Sequence, residues 1–298
     1  MQSLAIAGAA VALPGFAAAT TGNKSTPFRL HYAPHEGLFA DSAGPDIIAQ
    51  IHRAADLGFR GWEDNEMRNR DAATQASIGA ALKERGMQMG VFVAAWPDWN
   101  APTLSSGDAA QRESFLAQIR ESVEVAKRIG ATWMTVVAGF VDLRLSRDYQ
   151  MVNLVESLRQ GAAILEPHGL VMVLEPLNNR DHPGQLVTDA GQALLVCQSV
   201  NSPSCKMLYD IYHQQTSEGN LIQNIDRCWH EIAYVQIGDN PGRNEPTTGE
   251  INYRNVFKHL HGKGYTGVLG MEHGRSKPGL AGEEALVAAY RYCDDFEA

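Results

Sequence analysis

The sequence predicts a single (β/α)8 barrel, the TIM-barrel architecture, over residues 27–298, and three observations carry the prediction. Short apolar, β-branched runs alternate eight times with longer stretches of helical periodicity, without an intervening linker. The 298-residue length suits one large α/β barrel of roughly 250 residues. An open doubly wound sheet would carry a glycine-rich phosphate loop after its first strand, whereas this chain reads Ala33-Pro34-His35-Glu36-Gly37 there.

In chain order, strands are expected at Phe28–Tyr32, Gly61–Asn65, Met87–Ala95, Trp133–Val137, Leu170–Glu175, Cys205–Asp210, Ile232–Ile237 and Gly267–Glu272. Helical stretches between them include 47–59, 75–87 and 114–130. In the last, Phe115, Ile119, Val123, Ala126 and Ile129 fall on one helical face. Gly58, Gly86, Gly130, Gly169 and Gly264 each follow a helical run, where a left-handed cap is wanted. Trp62 and Trp133 are expected between sheet and helices, and Trp96-Pro97-Asp98-Trp99 as an apolar wall or lid. His31 and His35 are read as structural histidines.

Residues 1–26 stand apart from the barrel. Leu4–Ala19 is an Ala-rich apolar run ending in small residues before polar Thr20–Thr26, which is the pattern of a secretory signal and its cleavage site. Pro14 and the small side chains argue against a membrane span. No basic leader precedes the run, only Met1-Gln2-Ser3, as expected for a start downstream of a twin-arginine pair. This extension predicts an exported or periplasmic protein. The alternative is an arm packing on the barrel or a partner subunit of a cytoplasmic enzyme.

Twenty-five basic against thirty-four acidic side chains leave a net charge of −9, which argues against nucleic-acid or anionic-membrane partners. The four cysteines (Cys197, Cys205, Cys228, Cys293) form no C-x-x-C pair and read as small buried hydrophobes. Cys197 and Cys205 would be the pair to bridge in an exported protein.

In a barrel, chemistry concentrates at the carboxyl ends of the strands. Four consecutive late strands end in an oxygen-bearing side chain: Glu175, Asp210, Gln236 and Glu272, spaced 35, 26 and 36 residues apart. Three converging carboxylates repel one another unless protons or a cation neutralise them. An all-oxygen set selects a hard divalent ion, Mg²⁺ or Mn²⁺. Any one of these residues alone reads equally well as a helix N-cap or an ion-pair partner. On the same rim lie His213, Asp181 in the loop 178–184, and Arg243 and Glu245 in the Gly/Pro-rich loop 239–253. Arg243 suits a bidentate clamp on a substrate carboxylate. Glu63, ending the second strand, is expected to face the same cavity.

The segments LEPLNNRDHPG (174–184), LYDIYHQQ (208–215), VQIGDNPGRNEPTTGEINY (235–253) and GVLGMEHG (267–274) resemble the hydroxypyruvate isomerase family of xylose isomerase-like sugar isomerase and epimerase barrels. The resemblance implies metal ligands at Glu175, Asp210, Gln236 and Glu272, catalytic glutamates at Glu175 and Glu272, and substrate contacts from His213 and Arg243. Asp181 and Glu63 are further substrate-contact candidates on position alone. It also implies a small hydroxy-oxo acid or sugar as substrate, enediolate proton transfer, and pairing of barrels into homo-oligomers. The first-half loops 33–39 and 94–102 look diverged, and these shape substrate choice.

Rival readings share the barrel. A ketose epimerase returns the proton to the same carbon, and a sugar or inositol dehydratase expels water. An endonuclease relative needs several metal-binding histidines and a basic groove, against which the net charge and Gln236 weigh. A pure binding protein would leave the complete carboxylate set unexplained.

Overall fold

The computed structural model describes residues 25–297, so all but the last two residues of the signal-like segment 1–26 lie outside the described residues. Eight strands form: β1 (His31–Ala33), β2 (Gly61–Trp62), β3 (Gln88–Met89), β4 (Trp133–Val137), β5 (Val171–Glu175), β6 (Cys205–Asp210), β7 (Ile232–Gln236) and β8 (Val268–Gly270). All pair in parallel, in a six-stranded sheet ordered β1-β8-β7-β6-β5-β4 and a two-stranded β2-β3. A few ladder bonds close the two remaining gaps. The Glu63 amide donates to the Pro34 carbonyl (2.9 Å), the Thr135 amide to the Phe92 carbonyl (2.8 Å), and the Ala94 amide to the Thr135 carbonyl (2.9 Å).

β4 and β6 have the predicted bounds, β5 and β7 differ by one residue, and β1, β2, β3 and β8 are shorter or shifted. The 87–95 run keeps ladder geometry only at Gln88–Met89, with an isolated bridge from Val93 to Thr135. Between them Gly90 passes so close to the Tyr234 hydroxyl and the Trp62 carbonyl that no Cβ fits. The first strand pairs at His31–Ala33 rather than from Phe28; Phe28 instead packs on Phe59 and Tyr32 behind the sheet.

Eight longer helices wrap the outside: Ile47–Asp56, Ala72–Arg85, Ala109–Ile129, Arg147–Leu165, Ala190–Val200, Leu221–Cys228, Tyr253–Gly262 and Gly279–Asp294. Asp46, Asp71, Asp108 and Asp189 cap four of them through the carboxylate. The predicted face of Ala109–Ile129 is buried as expected. No helix among the described residues is long and apolar enough to cross a membrane.

Two cores result. The larger lies between sheet and helices and includes Trp62. The smaller fills the barrel with Ala33, Val91, Val173, Leu208, Tyr234 and Val268. Trp133 belongs with this inner core, its ring 5.9 Å from that of Tyr234, and not between sheet and helices. The reason is pleat parity: Trp133 shares a face with Thr135 and Val137, which line the central cavity. All four cysteines are free and buried.

Candidate active site

Glu175 closes β5, Asp210 closes β6 and Gln236 closes β7, with Asp210 and Gln236 in register; Glu272 follows two residues after β8. Parallel pairing therefore carries all four to one rim. Glu175, Asp210, His213 and Glu272 each bring a donor atom within 4.8 Å of the others, a group able to hold a metal ion.

Asp210 does two things at once. Its Oδ1 accepts the His213 amide (3.0 Å) and so caps the short helix Ile211–Ser217. Its Oδ2 faces the site, 3.2 Å from an Arg243 guanidinium nitrogen. The same nitrogen donates to Glu272 Oε2 at 2.6 Å. Arg243 comes from the loop after β7, with a left-handed φ of 48°, and lies over the Tyr212 ring at 4.8 Å. Asn65, which the sequence reasoning passed over, donates to Glu272 Oε1 at 2.7 Å. It stands two residues after Glu63, the spacing that keeps one face of a strand, and that was the available signal.

His213 Nδ1 receives the Asn178 side-chain amide at 2.6 Å and the Asn178 backbone N–H at 3.3 Å. Asn178 cannot be turned round, because its Oδ1 already accepts the Arg180 and Asp181 amides. Nδ1 is therefore an acceptor, and the neutral ring's proton sits on Nε2, which lies 3.7 Å from Glu175 Oε1 and Asp210 Oδ2 and 3.3 Å from Arg243 Nη2. A ring fixed this way donates to a ligand oxygen in the metal-free site. Burial pushes its pKa down to about 4, so the ring is neutral near neutrality.

Burial raises the carboxyls most. Glu175 is held well above the usual carboxylate range by burial and by the charges of Glu272 and Asp210. Glu272 rises to about 7 by burial, against the lowering effect of Arg243. For Asp210, burial is outweighed by His213 and Arg243, so its pKa is lowered. Arg243 is half-buried, but Glu272, Asp210 and Glu175 raise its pKa and keep it charged.

The metal expectation is tested by Gln236. Its Nε2 donates to Glu63 Oε1 (2.9 Å), while its Oε1 is buried without any hydrogen-bond partner. A buried amide oxygen left bare, on the residue in register with Asp210, is a ready cation ligand, and the donor set fits a hard divalent ion.

Two predicted contacts sit elsewhere than expected. Glu63 is buried and bonded to Tyr234 and Gln236, outside the lining of the main cavity. Asp181 is exposed, and its Oδ2 takes the Tyr212 hydroxyl (2.6 Å) and the Asn178 amide (3.1 Å), bracing the residues around His213. Glu245 likewise braces, accepting the Ser276 amide at 2.8 Å. His35 bonds the Glu36 and His273 carbonyls, as a structural histidine does, and His31 lies exposed at the opposite barrel end.

Above the carboxylates opens a cavity of about 170 Å³ walled by Trp96, Pro97, Trp99, Val137, Leu177 and His182. The Trp99 ring lies 5.3 Å from His182, whose ring lies 5.4 Å from His213. The 94–102 loop thus forms the expected apolar wall, and Arg243 is the one permanent cation lining the cavity.

The family described as xylose isomerase-like TIM barrel matches residues 51–294. The hydroxypyruvate isomerase of Escherichia coli (strain K12) is 31% identical over 242 residues, 81% of this chain and 92% of that protein. The 2-oxo-tetronate isomerase of Cupriavidus necator is 32% identical over 201 residues, 66% of this chain and 76% of that protein. Among solved structures, a family 2 AP endonuclease from Brucella melitensis superposes with TM-score 0.77 at 25% identity, covering 88% of this chain and 99% of that one. A 3-keto-D-glucoside 4-epimerase from E. coli superposes with TM-score 0.73 at 21% identity, covering 89% and 100%, a likeness of fold alone. The chain belongs to the xylose isomerase-like TIM-barrel family, among its hydroxypyruvate isomerase members.

Proposed function

We propose that this isomerase interconverts a small hydroxy-oxo acid, hydroxypyruvate or a near relative, with its aldehyde isomer by enediolate proton transfer between Glu175 and Glu272. The observation that carries the reading is the meeting of these two glutamates with the His213 Nε2–H and Arg243 at the floor of one cavity. The names of the relatives supply the substrate class.

The chemistry requires a proton to leave the hydroxyl-bearing carbon and arrive at the neighbouring carbonyl carbon. Glu272, held by Arg243 and Asn65, and Glu175, across the site from it, are the pair that takes the proton from one carbon and returns it to the other. His213 donates its Nε2–H to a substrate oxygen. Arg243 holds the substrate carboxylate once its own carboxylate partners are otherwise neutralised. Trp96 and Trp99 cover the cavity and keep water from the reactive carbon. Glu175, Asp210, Gln236 and Glu272 would hold a divalent cation, Mg²⁺ or Mn²⁺, which when bound supplies Lewis-acid stabilisation of the developing oxyanion.

The test is proton NMR in D₂O with hydroxypyruvate, 2-oxo-tetronate and a panel of ketoses, with Mg²⁺ or after chelation. Metal-dependent deuterium entry beside the carbonyl with aldehyde formation is expected, and Glu272→Gln should lose at least about a hundredfold in turnover. Inversion at one carbon without isomer would replace the reading by an epimerase, and loss of water by a dehydratase. Full activity in Glu272→Gln would remove the two-glutamate relay.

A further inference from the structure

Glu63 is a buried carboxylate at this end of the barrel that neither lines the main cavity nor pairs with a cation among the described residues, and both its oxygens are held by side chains of β7. Its Oε1 accepts Gln236 Nε2 at 2.9 Å and its Oε2 accepts the Tyr234 hydroxyl at 2.7 Å. A carboxyl buried with no counter-ion has its use in the partners it holds.

That use is visible at Gln236. A glutamine amide has two nearly isosteric ends, one a donor and one an acceptor, and only its surroundings decide which faces where. The Glu63 carboxylate takes the NH₂ end, and the bare Oε1 is the end left over. The fold makes room for this arrangement at Gly270, the residue of β8 in register with Gln236. A Cβ at Gly270 would overlap Glu63 Oε2, and Gly270 has no left-handed φ that would call for glycine on its own account.

We propose that Glu63 is a positioning residue that sets the Gln236 amide with its oxygen toward the cation site, and that Gly270 exists to admit the Glu63 carboxylate. The inference rests on the metal-dependent reading above and deepens it. Glu63 touches neither substrate nor the reacting atoms; it acts through Gln236, in the way outer-shell partners orient metal ligands.

Titrating Mn²⁺ into the full chain, with free Mn²⁺ followed by its EPR signal, tests this together with the melting temperature in chelator. Glu63→Ala frees the amide to turn, and should weaken Mn²⁺ binding about tenfold or more. Gly270→Ala removes no polar group but displaces the carboxylate, and should weaken binding likewise, which covers the case in which Glu63→Ala fails to fold. Glu63→Gln keeps an acceptor for Gln236 Nε2 and a donor for the Tyr234 oxygen, and should recover affinity to within about threefold. Wild-type affinity in folded Glu63→Ala and Gly270→Ala overturns the inference while leaving the metal reading intact. Equal loss in Glu63→Gln also overturns it, because charge rather than amide orientation would then matter. Absence of Mn²⁺ binding by the wild type overturns the metal reading itself, and this inference with it.

Discussion

Replacing Arg243 by alanine removes the one permanent cation from among three carboxylates, and the consequence can be worked from the geometry. The guanidinium lies 2.6 Å from Glu272 Oε2 and 3.2 Å from Asp210 Oδ2. At an effective dielectric of about 20 the two attractions are gross terms of about 6 and about 5 kcal/mol, opposed by desolvation. Breaking a fully buried pair costs roughly 3–5 kcal/mol. The Arg243 side chain keeps 29% of its exposure, which favours the low end. Glu272, with a pKa already near 7, can take up a proton instead, which trims the cost further near neutral pH. About 2–3 kcal/mol remains, or roughly 4–12 °C in melting temperature for a domain of this size. The loss should grow with pH, since proton uptake is then a poorer substitute for the guanidinium. Thermal melts in chelator at pH 6.5, 7.5 and 8.5 read it directly. Excess Mn²⁺ supplies the missing charge and should narrow the gap. By linkage, each 1.4 kcal/mol so recovered appears as about tenfold tighter Mn²⁺ binding by the variant. Melts within 1 °C of wild type at pH 8.5, or weaker Mn²⁺ binding, would refute the assignment of Arg243 as the counter-ion of the metal-free site.

Three further outcomes follow from the same geometry. Glu63, Glu175 and Glu272 all have folded-state pKa values raised above the ordinary 4.5, to about 8 for Glu63 and about 7 for Glu272. The native state therefore binds more protons than the unfolded chain between those limits, so stability is fullest below pH 4.5 on this account and falls as pH rises toward 8. Melts across pH 5–8.5 should show that decline in chelator and a flatter profile with Mn²⁺. Trp99→Ala should raise KM several-fold with kcat nearly unchanged, because an apolar wall holds ground state and transition state alike; a fall in kcat alone would place Trp99 in the chemistry. Gly184→Ala should cost about 1–3 kcal/mol by urea unfolding, since φ is 88° there and a Cβ would overlap the Phe140 ring.

Strands β4 to β7 were legible because each is an apolar run of five or six residues closed by its rim residue: β4 and β6 begin and stop at the residues expected, and β5 and β7 differ by one. The first half was less so. Residues 61–65 and 87–95 have strand composition, yet hold continuous ladder geometry for two residues each, with one isolated bridge at Val93. What interrupts the second is tertiary: the Tyr234 hydroxyl from β7 occupies the space beside Gly90, and no local pattern announces a contact between residues so far apart in the chain. Trp133 was misplaced for a related reason. A large aromatic ring at the start of a strand fits either side of the sheet, and only the pairing of β4 with β5 fixes which side is the interior.

At the site, the sequence offered two readings of a carboxylate at a strand end, helix cap or ligand, as though they were exclusive. Asp210 shows that they are not. Its Oδ1 is committed to the His213 amide, and that bond aims Oδ2 into the cavity beside Arg243. The same economy recurs around it. Asn178 ties the loop amides of Arg180 and Asp181 with its oxygen and sets the His213 tautomer with its nitrogen. Each of these groups has two ends, and the end spent on the fold orients the end left for chemistry. Residue type and spacing reveal which side chains reach the rim, but not which atom each presents, because that is decided by the partner on its other side. For Glu63 and Asp181 the sequence offered position alone; the hydrogen bonds to Gln236 and Tyr212 that engage their carboxylates come from residues far along the chain, which no local spacing announces.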